Sequence, residues 1–242
     1  MSIPLAIVGV GKMGRLVEQL APQEGFNVRA RFSSSNIASL SRESLHGASV
    51  AIEFTAPLAA PENLRQLAAF GVSTVCGTTG WYDQVSGISQ AVSAANTALV
   101  YGPNFSIGVN LFFEIVNRAA SLFAQHPEYE AWGWEIHHSA KKDALSGTLK
   151  KLGEEIRAAG FTRLLSLSAN RAGAHTGTHE IGFDSPADTI TLRHTARSRE
   201  GYARGALVAA RWLAGKKGVF EFREVIREIG RESEALAAAE RR

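Results

Sequence analysis

Residues 4–21 read PLAIVGVGKMGRLVEQLA. The apolar run PLAIVGV predicts a buried strand, and RLVEQLA predicts a helix that stops near Pro22. Between them lies a G-x-G-x-x-G, whose three glycines have separate jobs. Gly9 allows the tight turn, Gly11 lets the backbone approach a pyrophosphate, and Gly14 lets the helix lie close to the strand. The loop Gly9, Val10, Gly11, Lys12, Met13, Gly14 is therefore a candidate dinucleotide-binding turn.

The pattern around this turn repeats. FNVRARF (26–32), ASVAIEF (48–54), VSTVC (72–76) and TALVY (97–101) read as further strands. PLAAPENLRQLAAF (57–70) and SGISQAVSAAN (86–96) read as helices among them. Strand–helix alternation predicts an α/β, doubly wound parallel sheet of the Rossmann type with helices on both faces. After about residue 103 the alternation ends. IGVNLFFEIVNRAASLFAQ (107–125) has helical periodicity. It is followed by strand-like YEAWGWEIHH (129–138), a helix over 147–160, and three more strands, LLSLSANRAG (164–173), GTHEIGFDS (177–185) and DTITLRHTA (188–196). That order predicts an α+β domain with a mixed or antiparallel sheet. ARGALVAARWLA (203–214) reads as an apolar helix. The tail from Val219 is partly amphipathic and then charge-rich, and its end is expected to fray.

At 242 residues, with 20% charged and 45% hydrophobic residues, the chain has a globular composition. A net charge of +3 without a basic run interleaved with aromatics argues against a nucleic-acid partner. No apolar run reaches the ~20 residues of a membrane helix, so no membrane partner is expected. A single cysteine, Cys76, excludes an internal disulfide and fits a reducing compartment. With no basic leader at the N-terminus, the expected location is the cytoplasm.

HHSAKKDALSGT (137–148) carries the chemistry. Ser146-Gly147-Thr148 opens an amphipathic helix, and a helix start presents free N–H groups and a positive dipole end to anions. Imidazoles and ammonium groups beside it make a site for a small, multiply negative molecule, with proton donors at hand. A plain Ser/Thr helix cap explains the same residues without a ligand. His175 and His179 stand four apart, but in a Gly/Thr-rich loop entering a strand and without partner cysteines, so no metal is expected. Trp132 and Trp134 alternate on a strand and are expected to pack one sheet face.

Cofactor choice is read from the end of the second strand, VRARFSSSN (28–36). An NAD-type fold places a carboxylate there for the ribose hydroxyls. Here none occurs between Glu24 and Glu43. Arg31 offers a forked partner for a 2′-phosphate, and Ser33, Ser34 and Ser35 offer further donors. NADPH is expected to be preferred, with NADH as second cofactor.

These segments together resemble the dihydrodipicolinate (4-hydroxy-tetrahydrodipicolinate) reductase family of lysine and diaminopimelate biosynthesis. The resemblance rests on GVGKMG (9–14), EFTAP (53–57), GTTG (77–80), PNFSIGVN (103–110), EIHHSAKKDALSGT (135–148), GTHEIGFDSPADTITLRHTARSR (177–199) and GYARGALVAARWL (201–213), in the family's order. The family usually has Pro where Leu145 stands and Asp where Glu53 stands. The resemblance implies NAD(P)H-dependent reduction of a cyclic dicarboxylate in a homotetramer. By position it implies His137 as the catalytic histidine and Lys141 as proton donor, with His138, Ser146, Gly147 and Thr148 holding a substrate carboxylate. It implies Gly77, Thr78, Thr79, Gly102, Pro103, Asn104 and Phe105 around the nicotinamide half of the cofactor. It implies a dinucleotide-binding domain of residues 1–106 and 215–242, and a substrate-binding and oligomerisation domain of 107–214. Another two-domain NAD(P)-dependent dehydrogenase would share the glycine loop but not HHSAKKDALSGT; a non-catalytic nucleotide sensor would share the fold and lack turnover.

Overall fold

A computed structural model describes residues 2–240. In chain order the elements begin β1 (Ile3–Val8), α1 (Lys12–Leu20), β2 (Phe26–Phe32), β3 (Val50–Glu53), α2 (Ala60–Ala69), β4 (Ser73–Cys76), α3 (Val85–Ala94) and β5 (Ala98–Tyr101). Then come α4 (Ile107–Phe123), β6 (Glu130–His137), α5 (Gly147–Ala158), β7 (Leu165–Arg171), β8 (Thr178–Asp184) and β9 (Thr189–Thr195). The last are α6 (Glu200–Trp212), β10 (Gly218–Glu221) and α7 (Phe222–Glu240). The fraying expected at the very end falls on residues 241–242, which lie outside the described residues. No described helix is long and apolar enough to cross a membrane.

The chain divides into Met1–Ile107 with Glu200–Arg242, and Gly108–Arg199. In the first unit six parallel strands take the order β10-β5-β4-β3-β1-β2. Alternate side chains serve opposite faces, so each strand feeds two cores. Leu5, Ile7, Ile52 and Val100 pack with Val17 and Leu20 of α1 and with Ala203, Ala206 and Leu207 of α6. On the other face Ala6, Val8 and Ala51 meet Leu67, while Cys76 and Leu99 meet Leu64 of α2 and Ile88 of α3.

Two sequence expectations are corrected here. The second unit ends at Arg199, not 214, because α6 packs into the first unit's core. Its small residues explain why: a Cβ on Gly205 would stand 1.7 Å from the Phe105 carbonyl oxygen, so only glycine permits that approach. The tail also supplies a strand. Val219 and Phe220 pair with Leu99 and Val100 in β10–β5 before the amphipathic pattern begins. A four-residue segment, GVFE, is too short for periodicity to separate strand from helix.

The second unit is a four-stranded mixed sheet in the order β7-β6-β8-β9. β6 and β7 are parallel, and the other pairs antiparallel. Its inner face is apolar at one end, where Ala131, Ile181 and Phe183 pack with Val109, Phe113 and Val116 of α4 and Leu149, Leu152 and Ile156 of α5. At the other end the same face carries Glu135, His137 and His179, all buried. The outer face carries half-buried Trp132, Trp134 and Ile136.

Candidate active site

The glycine turn of the first unit has the form a phosphate cradle needs. Gly9 takes φ +99°, and a Cβ there would lie 2.0 Å from the Phe54 carbonyl oxygen. A Cβ on Gly14 would lie 2.0 Å from the Gly9 carbonyl oxygen, so glycine lets α1 pack onto the turn. Nothing stands within 4 Å of a Cβ built on Gly11, the N-cap of α1. Tight contact at the first and third glycines, with open space at the second, fits a dinucleotide pyrophosphate approaching the backbone. Val10 is half-buried and Lys12 exposed, while Met13 packs against the core.

The two segments expected around the nicotinamide half of a cofactor are braced by their neighbours. The Phe54 ring lies where a Gly77 side chain would be. The Thr55 amide donates to Thr78 Oγ1 at 2.8 Å, and Trp81 Nε1 donates to the Thr78 carbonyl at 2.8 Å. Thr78 is thus committed to holding the loop, and Thr79 is exposed. Buried Glu53 accepts from the Thr55 hydroxyl, Asn63 Nδ2 and the Cys76 thiol. Burial pushes that thiol well up, with the Glu53 charge adding to it, so Cys76 is a packed thiol and not a thiolate nucleophile. In the second segment Gly102 is buried against Phe222, Pro103 is exposed, and Asn104 Oδ1 accepts from the Ser106 amide at 2.8 Å. Phe105 is the most buried side chain of this segment. It is 3% exposed, its ring lies tilted against Phe222 at 4.6 Å between centroids, and it belongs to the core, where burial of an apolar ring is favourable.

At the end of β2 the exposed Arg31 donates through Nε to Glu18 of α1 at 2.6 Å. A carboxylate therefore reaches this corner from the helix, although strand β2 supplies none. The serine turn is partly self-satisfied. Asn36 Oδ1 accepts from the Ser33 amide at 2.6 Å, and the Ser33 hydroxyl accepts from the Ser35 amide at 3.3 Å. Ser34 is exposed.

In the second unit β6 ends in His137, a loop follows, and Ser146 caps α5 by accepting from the Leu149 amide at 3.2 Å. The Ala144–Leu145 peptide within that loop is cis. The cap is formed, and it leaves the next two helix residues open to a ligand. Ser146 turns inward: its amide donates to Glu135 Oε1 at 2.8 Å and its hydroxyl to Glu135 Oε2. Its donors are therefore spent inside the protein, which corrects its expected place among the substrate-holding amides. The Gly147 and Thr148 amides open the helix with no acceptor among the described residues, and the space beside Gly147 is clear for 4 Å. His138 is half-buried, and its carbonyl accepts from the Lys141 amide at 3.1 Å. Lys141 Nζ lies 2.8 Å from Asp143 Oδ1, while Lys142 is exposed. The Lys141 ammonium holds the Asp143 carboxyl below its usual range.

Sequence reasoning missed the centre of this site. Glu135 is fully buried and joins Ser146, Arg171 (Nη2 at 2.9 Å) and His179 (Nε2 at 3.3 Å). His137 Nδ1 lies 3.7 Å from the same carboxylate. Burial raises the Glu135 pKa, but bonds from Ser146 and Arg171 outweigh it and hold the carboxyl low. Burial pushes the His137 pKa down, against the pull of Glu135. His179 is pushed down to about 4, chiefly by burial and then by His137. The i, i+2 spacing of Glu135 and His137 on a strand was the available signal. Arg171 and His179 arrive through strand pairing, which no local spacing reveals. His175 stays exposed in its loop, apart from this cluster.

The chain matches the models of the dihydrodipicolinate reductase N-terminus over residues 3–105 and C-terminus over residues 108–226. It is 30% identical to the 4-hydroxy-tetrahydrodipicolinate reductase of Christiangramia forsetii, over 93% of this chain and 98% of that protein. It is 31% identical to the enzyme of the same name from Thiobacillus denitrificans, over 93% and 99%. The solved structure of dipicolinate-bound dihydrodipicolinate reductase from Paenisporosarcina sp. TG-14 shares its fold, with a TM-score of 0.80 at 21% identity, over 93% of this chain and all of that one.

Proposed function

The chain belongs to the dihydrodipicolinate reductase family, and from that premise we propose that it reduces 4-hydroxy-tetrahydrodipicolinate to tetrahydrodipicolinate in lysine and diaminopimelate biosynthesis. The observation that carries this reading is the open helix start at Gly147 and Thr148, with His137, His138 and Lys141 on the adjoining segment. In this reading the Gly147 and Thr148 amides hold one substrate carboxylate, and His138 and Lys141 add positive or hydrogen-bonding groups around the second. The turn at 9–14, Gly77, Thr78, Thr79 and the Gly102–Asn104 backbone hold a nicotinamide dinucleotide. Bound NADPH or NADH supplies the hydride.

The residues of the chain then manage charge and protons. Hydride addition leaves an electron-rich ring that takes up a proton as water is lost. Lys141 donates that proton, with Asp143 keeping its Nζ in place. His137, neutral at pH 7 because it is buried, takes up or relays a proton beside the Glu135 carboxylate. We place NADPH ahead of NADH, because the guanidinium of Arg31 can turn from Glu18 to a 2′-phosphate. We infer a homotetramer built on the outer sheet face that carries Trp132, Trp134 and Ile136, working in the cytoplasm, where the free Cys76 thiol is at home.

The test is NADPH oxidation followed at 340 nm with enzymatically generated 4-hydroxy-tetrahydrodipicolinate. Wild type should turn over, and Lys141→Ala should lower turnover about a hundredfold, the scale of a lost proton donor. No oxidation by the wild type would remove the reading. Full activity in Lys141→Ala would remove the proton-donor assignment alone.

A further inference from the structure

We propose that Glu135 is a positioning residue for His137: its buried carboxylate orients the imidazole through Nδ1 and serves as the counter-anion when the ring carries a proton. The proposal rests on the reading of His137 as a proton-handling group. Glu135 and His137 stand two apart on β6, so both side chains face the inner side of the sheet. Neighbouring strands complete the surroundings: Arg171 lies opposite His137 in β7, and His179 lies opposite Glu135 in β8.

The hydrogen bonds divide between the two oxygens. Oε1 accepts from the Ser146 amide and from Arg171. Oε2 accepts the single Ser146 hydroxyl proton and faces both imidazoles. Because that proton is spent, His179 Nε2, at 3.2 Å from Ser146 Oγ and 3.3 Å from Oε2, must be the donor there. His137 Nδ1 is buried and has no hydrogen-bond partner among the described residues, yet it faces Oε2 at 3.7 Å. A bare Nδ1 would set its lone pair against an anion. The neutral ring therefore carries its proton on Nδ1, leaving the Nε2 lone pair for the reaction. The other side of the ring is bounded by Gly177, where a Cβ would stand 2.9 Å from Nε2. A metal ion bridging Glu135, His137 and His179 is the competing use of this cluster. The Arg171 guanidinium on the same carboxylate opposes a second cation there.

Ring-nitrogen NMR on protein labelled in histidine tests this without any variant. Neutral His137 should be the Nδ1–H tautomer; an Nε2–H tautomer would overturn the proposal. Glu135→Gln keeps the side-chain shape and removes the charge. It should shift the His137 titration to lower pH by about one unit or more, and lower turnover about tenfold or more with a smaller change in substrate KM. In a His137→Ala background the same substitution should cost less than about twofold, because its effect passes through the ring. An unmoved His137 titration, or equal cost in both backgrounds, would show that Glu135 serves only to cap α5. If His137→Ala alone kept full turnover, the role of His137 would fall, while the tautomer and titration would still report whether Glu135 governs the ring.

Discussion

Arg31 shows how a residue's meaning depends on one neighbour. In the sequence it stands in a segment free of acids, and in the fold Glu18 of α1 lies on its Nε. Both side chains are substantially exposed, and such a pair is worth about 0–1 kcal/mol. A doubly charged 2′-phosphate offers a forked partner and can displace it. The expected outcome of Arg31→Ala is a KM for NADPH raised more than that for NADH. Glu18→Gln should lower the NADPH KM, since the guanidinium is released and a nearby anion is lost. Parallel steady-state measurements with the two cofactors check both variants, and equal effects on the two would show that this corner does not sense the 2′ position. Glu53 is another such residue. Where the family usually has Asp, the longer side chain still reaches Thr55, Asn63 and Cys76.

Among the elements, α5 bears most on the proposed function. Its cap is internal: Ser146 faces Glu135, and the proposed anion site is left to Gly147 and Thr148. With Lys141 and His138 on the preceding loop, the element is suited to two carboxylates on one small ring. Pyridine-2,6-dicarboxylate is therefore expected to compete with substrate, and a pyridine monocarboxylate to bind much more weakly. Inhibition constants for the pair decide it, and equal values would rule out paired anion sites. The elements themselves were largely legible in the sequence. β1 through β9 and the helices fall where periodicity and turn residues put them, because each long amphipathic segment must bury one face. β10 was not legible, since four residues become a strand only when β5 offers an edge to pair with.

For the whole molecule, two buried imidazoles, His137 and His179, and the half-buried His194 of β9 set the response to acid. His179, His137 and His194 all titrate below the ordinary histidine range, chiefly because burial disfavours their charged forms. The unfolded chain binds their protons near pH 6.5, and the folded chain binds them only at lower pH, about 4 for His179. Their contribution to stability is thus complete above pH 6.5 and is lost as pH falls from there towards 4. Glu135, held low, adds its own loss below about pH 4.5. The thermal midpoint should stay level from pH 8 to 7 and then fall towards pH 5, with a flatter slope in His179→Gln; a midpoint unchanged between pH 7 and 5 would contradict this. Light scattering at micromolar concentration should give four times the chain mass, and a monomer mass would refute the proposed assembly. The sequence by itself determined the doubly wound sheet, a second sheet either mixed or antiparallel, the glycine turn and the helix start at the end of HHSAKKDALSGT. Those are properties of contiguous residues, governed by side-chain period and backbone freedom. Only the tertiary structure decided that α6 joins the first unit, that Glu18 meets Arg31, that Phe105 turns into the core, and that Glu135 gathers Arg171, His179, Ser146 and His137. Those partners lie on different strands and helices, and pairing register and packing, which act across the chain, bring them within reach of one another.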